Sequence, residues 1–214
     1  INMTSCISDP YIVSSYKSHN EMNSNNINDI YIDEEKRIWI ANYPEGITII
    51  DNRYKSYNWI KHSIGNRQSL VNDQEHSVIE DSDGDLWFGT SNGISLYQSK
   101  TGQWHSFLSS FDHQLKNKNH IFITLCEVSP GIIWAGGYTS GVYKINKRTL
   151  SVEYFSPYLL NPDNIRPDKY IRDIVKDSKG YIWSGGFYNL KCFDLSLNSV
   201  RLYPGINSVT AITE

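Results

Sequence analysis

The chain of 214 residues is 39% hydrophobic and 13% aromatic, which predicts a folded protein with a substantial core. Its formal net charge of −3 and the lack of a basic run argue against the clustered Lys and Arg that nucleic-acid-binding proteins use. No apolar run approaches a membrane span of about eighteen residues, and the N-terminus lacks both an initiator Met and a signal-peptide core, so we expect a processed or excised piece.

Four similar segments follow one another along the chain and define its organisation. Their tryptophans are Trp39, Trp87, Trp134 and Trp183, which are 48, 47 and 49 residues apart. Each segment has a hydrophobic period of two and is rich in β-branched and aromatic residues, as in half-buried strands. The sequence therefore predicts four strands per unit, here named a to d, with Gly- and Asp-containing turns between them.

A four-stranded unit repeated every forty to fifty residues is typical of a β-propeller blade, because neighbouring sheets must stack to bury both faces. We predict an all-β fold, a propeller segment of about four four-stranded blades plus partial blades at both ends. In chain order these are the end of a preceding blade at 1–26, blades at 27–60, 75–107, 121–155 and 171–203, and the first strand of a following blade at 206–214. An open arc of a larger ring is favoured, since a propeller closes properly only when its last blade is complete.

The second unit contains the stretch DSDGDLWFGTSNG, in which Asp81, Asp83 and Asp85 alternate. An EF-hand loop begins in this way, but it needs Gly and Glu at its positions 6 and 12, where this chain has Leu86 and Asn92. The stretch is therefore predicted to form the turn between strands a and b, where Asp and Gly are favoured. An ion site at the three aspartates is the alternative. No metal or other cofactor is predicted for the chain.

A small polar residue recurs near the start of strand a. It is Asp29, Ser77, Thr124, Asp173 and Ser208 in the successive units. The recurrence favours a structural role, a side-chain hydrogen bond that ties each linker to its blade, over a ring of polar groups lining the channel. The preceding residue differs from blade to blade and includes His76 and Arg172, as expected of residues specialised for one ligand.

The loops between strands b and c and the linkers from strand d to the next strand a emerge on one face of a propeller. Variable loops on a rigid scaffold are common binding sites. Aromatic faces can stack on sugar rings, while Arg, Glu and Asn can bind hydroxyl or carboxylate groups. The candidate ligand-binding residues on this face are Arg172, His76, Tyr138, Tyr188, Tyr43, Glu45, Arg166 and Tyr170.

No catalytic residues are predicted. The six His residues show neither an HxH nor an HExxH spacing, and no nucleophile with a base or carboxylate pair is evident. A ligand-binding module is therefore favoured. A protein-interaction scaffold is the main alternative, because propeller faces also bind peptides, and a propeller lyase with His and a metal at the channel is a further one.

The segment VIEDSDGDLWFGTSNGISLY resembles the two-component regulator propeller repeat, whose pattern is I-x-x-D-x-x-G-x-[IL]-W-x-G-T-x-x-G-[IL]-x-x-[YF]. The segment IVKDSKGYIWSGGFYNLKCF follows this pattern with Ser184-Gly185-Gly186 in place of the usual x-G-T after the Trp and Asn189 in place of Gly. The segment IYIDEEKRIWIANYPEGITII departs more, since Ala41 and Asn42 replace Gly and Thr. The resemblance covers roughly residues 27–203.

This resemblance implies the periplasmic sensor region of a Bacteroides-type hybrid two-component system, an inner-membrane protein with a histidine kinase elsewhere in the chain. In that family, two seven-bladed rings precede an immunoglobulin-like domain and a membrane helix. The resemblance also implies an oligosaccharide ligand, control of polysaccharide-utilisation genes, contacts with the remaining blades of the same sensor region, and a homodimer in the full-length receptor. This segment itself would be no enzyme and would bind no nucleic acid.

Overall fold

The computed structural model describes residues 26–44, 46–51, 56–109, 120–155 and 169–214. Within these ranges the regular elements are sixteen β-strands, and no helix is present. Accordingly, none of the described residues lies in a helix that could cross a membrane. The unit predicted at 1–26 falls outside the described residues except for Asn26.

The strands form four antiparallel sheets of four strands each. The first contains β1 (Ile27–Ile32), β2 (Ile38–Asn42), β3 (Gly46–Asp51) and β4 (Ser56–Ile60). The second contains β5 (Glu75–Glu80), β6 (Leu86–Thr90), β7 (Gly93–Gln98) and β8 (Gln103–Phe107). The third contains β9 (Phe122–Ser129), β10 (Ile132–Gly137), β11 (Gly141–Asn146) and β12 (Ser151–Phe155). The fourth contains β13 (Ile171–Lys176), β14 (Ile182–Gly186), β15 (Leu190–Asp194) and β16 (Ser199–Tyr203).

Each sheet is a meander in which strands a to d pair in chain order. The first strands of successive sheets contact one another, β1 with β5, β5 with β9 and β9 with β13, so they form the inner edge of the assembly. The four sheets of the described chain do not close into a ring. The prediction of an all-β propeller segment is confirmed, and the number of blades in a complete ring stays a prediction.

The repeated Asp and Trp of the motif are joined by a hydrogen bond. The indole N–H of strand b donates to the carboxylate at the start of the a-to-b turn, at 2.8 Å in each case, for Trp39 and Asp33, Trp87 and Asp81, and Trp183 and Asp177. This satisfies the one polar group of a large buried side chain. The second oxygen of Asp81 accepts the amides of Asp83 and Asp85 at 3.0 Å, so the acidic stretch forms the predicted turn.

The recurring small polar residue of strand a ties neighbouring blades together in each described blade except the second, where Ser77 Oγ has no hydrogen-bond partner among the described residues. Its side chain accepts the backbone N–H of the next blade's strand a, from Val78 to Asp29 at 2.8 Å, from Ile174 to Thr124 at 3.2 Å and from Ile212 to Asp173 at 2.6 Å. The residue thus makes a side-chain hydrogen bond that supports the fold, as predicted. The partner is the adjoining blade and not the linker, because the first strands lie side by side at the inner edge.

The register of residues 206–214 differs from the sequence alignment by three residues. Since Asp173 binds the amide of Ile212, the position aligned with Asp173 is Ala211 and not Ser208. A second contact agrees, because Glu214 accepts the amide and hydroxyl of Ser178, as Glu127 does from Ser82. No strand is assigned in residues 206–214, although residues 210–214 follow the path of a first strand.

Gly89→Ala should lower the free energy of unfolding by about 1–3 kcal/mol, because the backbone of the next blade lies close to this position. A Cβ there would lie 2.8 Å from the backbone oxygen of Phe122 and 2.6 Å from Ser77 Oγ. Gly102→Ala is the control, since a Cβ at Gly102 meets no atom within 4 Å and its positive φ of 71° alone should cost about 1 kcal/mol. Chemical denaturation of both variants tests this, and equal losses would contradict the packing argument.

Candidate functional site

The b-to-c loops and the ends of the linkers lie together on one face. The first amide of strand c donates to a linker carbonyl in three successive blades, from Gly46 to Asp73 at 3.0 Å, from Gly93 to His120 at 2.8 Å and from Gly141 to Lys169 at 2.9 Å. The side chains of both segments are therefore presented next to each other. We call this surface the loop face.

Three aromatic rings from the third and fourth blades form a cluster on the loop face. Tyr170, at the end of a linker, lies between Tyr138 in one b-to-c loop and Phe187 in the next. Its ring is perpendicular to that of Tyr138 at a centroid distance of 4.6 Å and stacked on that of Phe187 at 4.1 Å. Tyr138 and Phe187 remain 45% and 51% exposed, so the cluster presents aromatic surface to solvent. We call these three rings the aromatic platform.

Arg172 is held against the aromatic platform. Its Nε donates to the Tyr170 hydroxyl at 3.0 Å, and its guanidinium carbon lies 5.5 Å from the centre of the Tyr170 ring. The side chain is exposed. Cation–π and hydrogen-bond contacts to one ring orient the guanidinium of this exposed residue, an arrangement suited to binding a carboxylate or sulfate.

His76 lies in a second polar group on the loop face, between the first and second blades. The Asn28 amide donates to the Glu75 carbonyl at 2.7 Å and lies 3.4 Å from His76 Nδ1, and His76 Nε2 lies 2.8 Å from Ser91 Oγ. The Tyr43 ring is 6.2 Å from the imidazole. Burial lowers the pKa of His76, so its neutral imidazole fits these contacts, with Nδ1 accepting and Nε2 donating.

The structure places the remaining candidates as follows. Tyr188 follows Phe187 in the fourth b-to-c loop and is 49% exposed, and its carbonyl accepts a hydrogen bond from the buried Lys191 at 3.1 Å. Glu45 and Arg166 lie outside the described residues. The structure thus brings Tyr138, Tyr170 and Arg172 into one cluster and Tyr43 and His76 into another.

Sequence reasoning missed Glu75, a buried acid beside His76. Neither of its carboxyl oxygens has a hydrogen-bond partner in the described part of the chain, and its side chain is fully buried. Burial raises the pKa of this carboxyl to about 9. The aligned residues in the other blades are Ile27, Phe122 and Ile171. An acid at a position that is apolar in every other described blade is visible in the sequence, and it could have identified Glu75.

The three aspartates of the second blade surround an ammonium group from the third blade. Lys147 Nζ lies 2.7 Å from Asp81, 2.8 Å from Asp83 and 2.8 Å from Asp85. The lysine side chain is only 10% exposed, yet hydrogen bonds to the carboxylates outweigh this burial and raise its pKa above the usual value. A protein cation thus occupies the centre of the acids considered above as an ion site, and we call this group the ion cluster.

The ion cluster and the loop face lie on opposite faces, because a-to-b turns and b-to-c loops are at opposite ends of the strands. The ion cluster joins blades through Lys147, which follows strand c of the third blade. In the part of the chain that the structure describes, no group of three or more His, Cys, Asp or Glu side chains is arranged to hold a metal ion. The loop face instead offers rings, amides and one oriented guanidinium, which can bind a ligand without reacting with it.

Two segments of this chain match a known family model. The family model of the two component regulator propeller matches residues 21–43 and 69–92, which confirms the resemblance predicted from the sequence. A comparison with curated proteins found no match.

Solved structures share the fold. A domain named as the extracellular domain of a hybrid two component system from B. thetaiotaomicron has a TM-score of 0.72 and 20% identity, covering 88% of this chain and 25% of that one. The extracellular domain named for a one component system of the same organism has a TM-score of 0.68 and 21% identity, and the match covers 92% of this chain and 26% of that one. Virginiamycin B lyase from Staphylococcus aureus has a TM-score of 0.64 and 14% identity, and the match covers 90% of this chain and 58% of that one. The chain therefore spans about a quarter of the first two structures.

Proposed function

Because two of its segments match two component regulator propeller repeats, we propose that this chain is part of the periplasmic ligand-sensing propeller of a hybrid two-component sensor histidine kinase. The ligand is an oligosaccharide, and its binding is signalled across the inner membrane to regulate polysaccharide utilisation. The remaining blades of the ring and the kinase lie elsewhere in the full-length receptor, which is a homodimer.

The aromatic platform with Arg172 is the observation that carries the binding proposal. Exposed rings offer flat surface to the C–H faces of sugars, and an oriented guanidinium adds a charge-assisted contact to an acidic substituent. Tyr170 belongs to a linker while Tyr138 and Phe187 belong to two blades, so a ligand here would contact three segments at once. A site that depends on several segments suits a sensor, because binding then favours one arrangement of the blades.

Arg172→Ala in the intact receptor ring should weaken oligosaccharide binding by about 1.5–3 kcal/mol and leave stability nearly unchanged, because the side chain is exposed and its contacts are local. Calorimetric titration with a panel of neutral and uronate-containing oligosaccharides measures the loss. Arg148→Ala, an exposed arginine in the c-to-d turn of the third blade, is the matched control.

Three outcomes would contradict parts of the proposal. Unchanged affinity of Arg172→Ala for the bound sugar would remove Arg172 from the site. Binding of a protein and of no sugar would favour the interaction scaffold, and turnover of a glycan by the purified protein would favour an enzyme. The shared fold with virginiamycin B lyase carries no such activity to this chain at 14% identity.

A further inference from the structure

A groove of about 360 Å³ lies at the outer rim between the first and second blades. The first blade lines it with Trp39, Ile49 and Ile60, and the second blade lines it with Tyr97 and Trp104. Both walls belong to complete four-stranded sheets, so protein bounds the groove on either side. We call it the rim groove.

The rim groove lies where two other blades carry a phenylalanine. The register of strands c and d aligns Ile60 with Phe107 of the second blade and Phe155 of the third. In those blades the phenylalanine ring lies against the tryptophan of strand b, at centroid distances of 5.6 and 4.4 Å. Ile60 supplies no ring to Trp39, so the first blade lacks the aromatic pair that the next two blades have.

The second blade makes the opposite wall of the rim groove aromatic. The Tyr97 and Trp104 rings are in contact, with a centroid distance of 5.0 Å, and Tyr97 is only partly buried. The strand register aligns Trp104 with Val152 and Val200 in the third and fourth blades, so this large ring is not a requirement of the blade fold. A flat ring in the rim groove would lie between an aliphatic wall and an aromatic one.

Cationic side chains line the rim groove at both ends of the strands. Arg37 follows the a-to-b turn, and Lys61 follows strand d. Asp33 and Glu35 lie 2.6 and 3.6 Å from the Arg37 guanidinium, which is held 5.5 Å from the centre of the Trp39 ring. None of the described residues that line the groove is an acid. The lining therefore favours a bound molecule that carries a negative charge.

The outer edge of the second blade is closed to strand addition beside the rim groove. The Gln68 side chain pairs with the backbone N–H and C=O of Trp104 at 3.0 and 3.2 Å. An extended peptide would have to displace this contact before it could pair with β8. The volume of the groove is also in the lower part of the range of small-molecule sites. A small molecule thus suits the groove better than a peptide does.

We infer that the rim groove binds a small aromatic carboxylate, with its ring between Ile60 and Tyr97 and its carboxylate directed to Lys61. The ring takes the space that a phenylalanine fills in the next two blades. Because the two walls belong to different blades, the bound molecule stabilises the packing of the first blade against the second. This site is separate from the loop face, and the inference does not rest on an oligosaccharide ligand.

Three probes that share an indole ring test the inference. Indole-3-acetate is an anion, indole-3-acetamide is neutral and tryptamine is a cation, and each is titrated into the intact receptor ring by ligand-observed NMR. Indole-3-acetate should bind about tenfold or more tightly than the other two probes, because only the anion makes a charge-assisted contact with the lining.

Two variants locate the bound probe. Ile60→Phe should lower the affinity for indole-3-acetate about tenfold or more, because its ring fills the groove as in the next two blades. Lys61→Gln should lower this affinity about threefold to tenfold and leave that for indole-3-acetamide within about twofold. Lys100→Gln removes the same charge at an exposed lysine in the c-to-d turn of the second blade, and as the matched control it should change neither affinity.

The outcomes that overturn the inference are distinct. Undiminished binding of indole-3-acetate by a folded Ile60→Phe variant would exclude the rim groove as its site. Equal affinity for the three probes, or no saturation by indole-3-acetate at about 10 mM, would exclude the ligand class. Where Ile60→Phe does not fold, equal affinities of Lys61→Gln and Lys100→Gln for indole-3-acetate would overturn the inference. No sugar enters these titrations, so the proposed function is tested independently.

Discussion

Lys147→Met should lower the free energy of unfolding by about 3–5 kcal/mol, because it leaves buried carboxylates without their counter-ion. The substitution keeps the aliphatic packing of the side chain but removes the charge at the centre of the ion cluster. Asp81 is fully buried and Asp85 nearly so, so their carboxylates would be left close together without a counter-ion. Repulsion between these carboxylates and their desolvation account for the expected loss of stability.

Chemical denaturation of the purified chain measures this effect. Lys179→Met, at an exposed lysine in the a-to-b turn of the fourth blade, is the control and should change stability by less than about 0.5 kcal/mol. Adding Asp85→Asn to Lys147→Met should recover part of the lost stability, because one uncompensated charge is removed. A loss below about 1 kcal/mol for Lys147→Met would show that the ion cluster behaves as a solvated surface pair.

Glu75→Gln should remove a large pH dependence of stability. Burial raises the pKa of the Glu75 carboxyl to about 9, against an unfolded value near 4.5. The folded state therefore holds this proton over a pH range in which the unfolded state has lost it. The stability from protonated Glu75 is complete below about pH 4.5 and is lost progressively as the pH rises to about 9, by a total on the order of 5 kcal/mol.

Thermal unfolding of the wild type and Glu75→Gln from about pH 4 to pH 9 tests the sign and size of this effect. The difference between the two proteins isolates the contribution of Glu75 from those of the other ionisable groups. The Glu75→Gln variant should be more stable than the wild type above about pH 7, and this difference in stability should disappear near pH 4. Glu75→Leu should follow Gln, since apolar residues occupy the aligned positions. Parallel pH profiles for all three proteins would mean that the carboxyl reaches solvent.

Features that repeat once per blade could be predicted from the sequence. The tryptophan spacing gave the number of blades, and the acidic turn followed from the local preference of Asp and Gly. The hydrogen bond from Trp87 to Asp81 has counterparts in two other blades, which is why both residues recur in the motif. Each of these features depends on residues that are close in the sequence.

Features that join different blades could not be predicted in the same way. Lys147 lies 64 residues beyond Asp83, and nothing within one repeat marks it as the partner of the three acids. The register of Ile212 depends on a hydrogen bond to the preceding blade, which the sequence of residues 206–214 does not reveal by itself. On the loop face, the grouping of Tyr138 with Tyr170 followed from topology, but the stacking of Phe187 on Tyr170 depends on how two loops lean together.

The side-chain ties along the inner edge connect each blade only to the blade beside it, as Asp29 does with Val78 and Ser82 with Glu127. Such an array behaves like a one-dimensional lattice, in which stability is the sum of unit terms and nearest-neighbour terms. The junction of the second and third blades has the strongest neighbour term, because it contains the ion cluster. Among the described blades, this junction should therefore be the last to open.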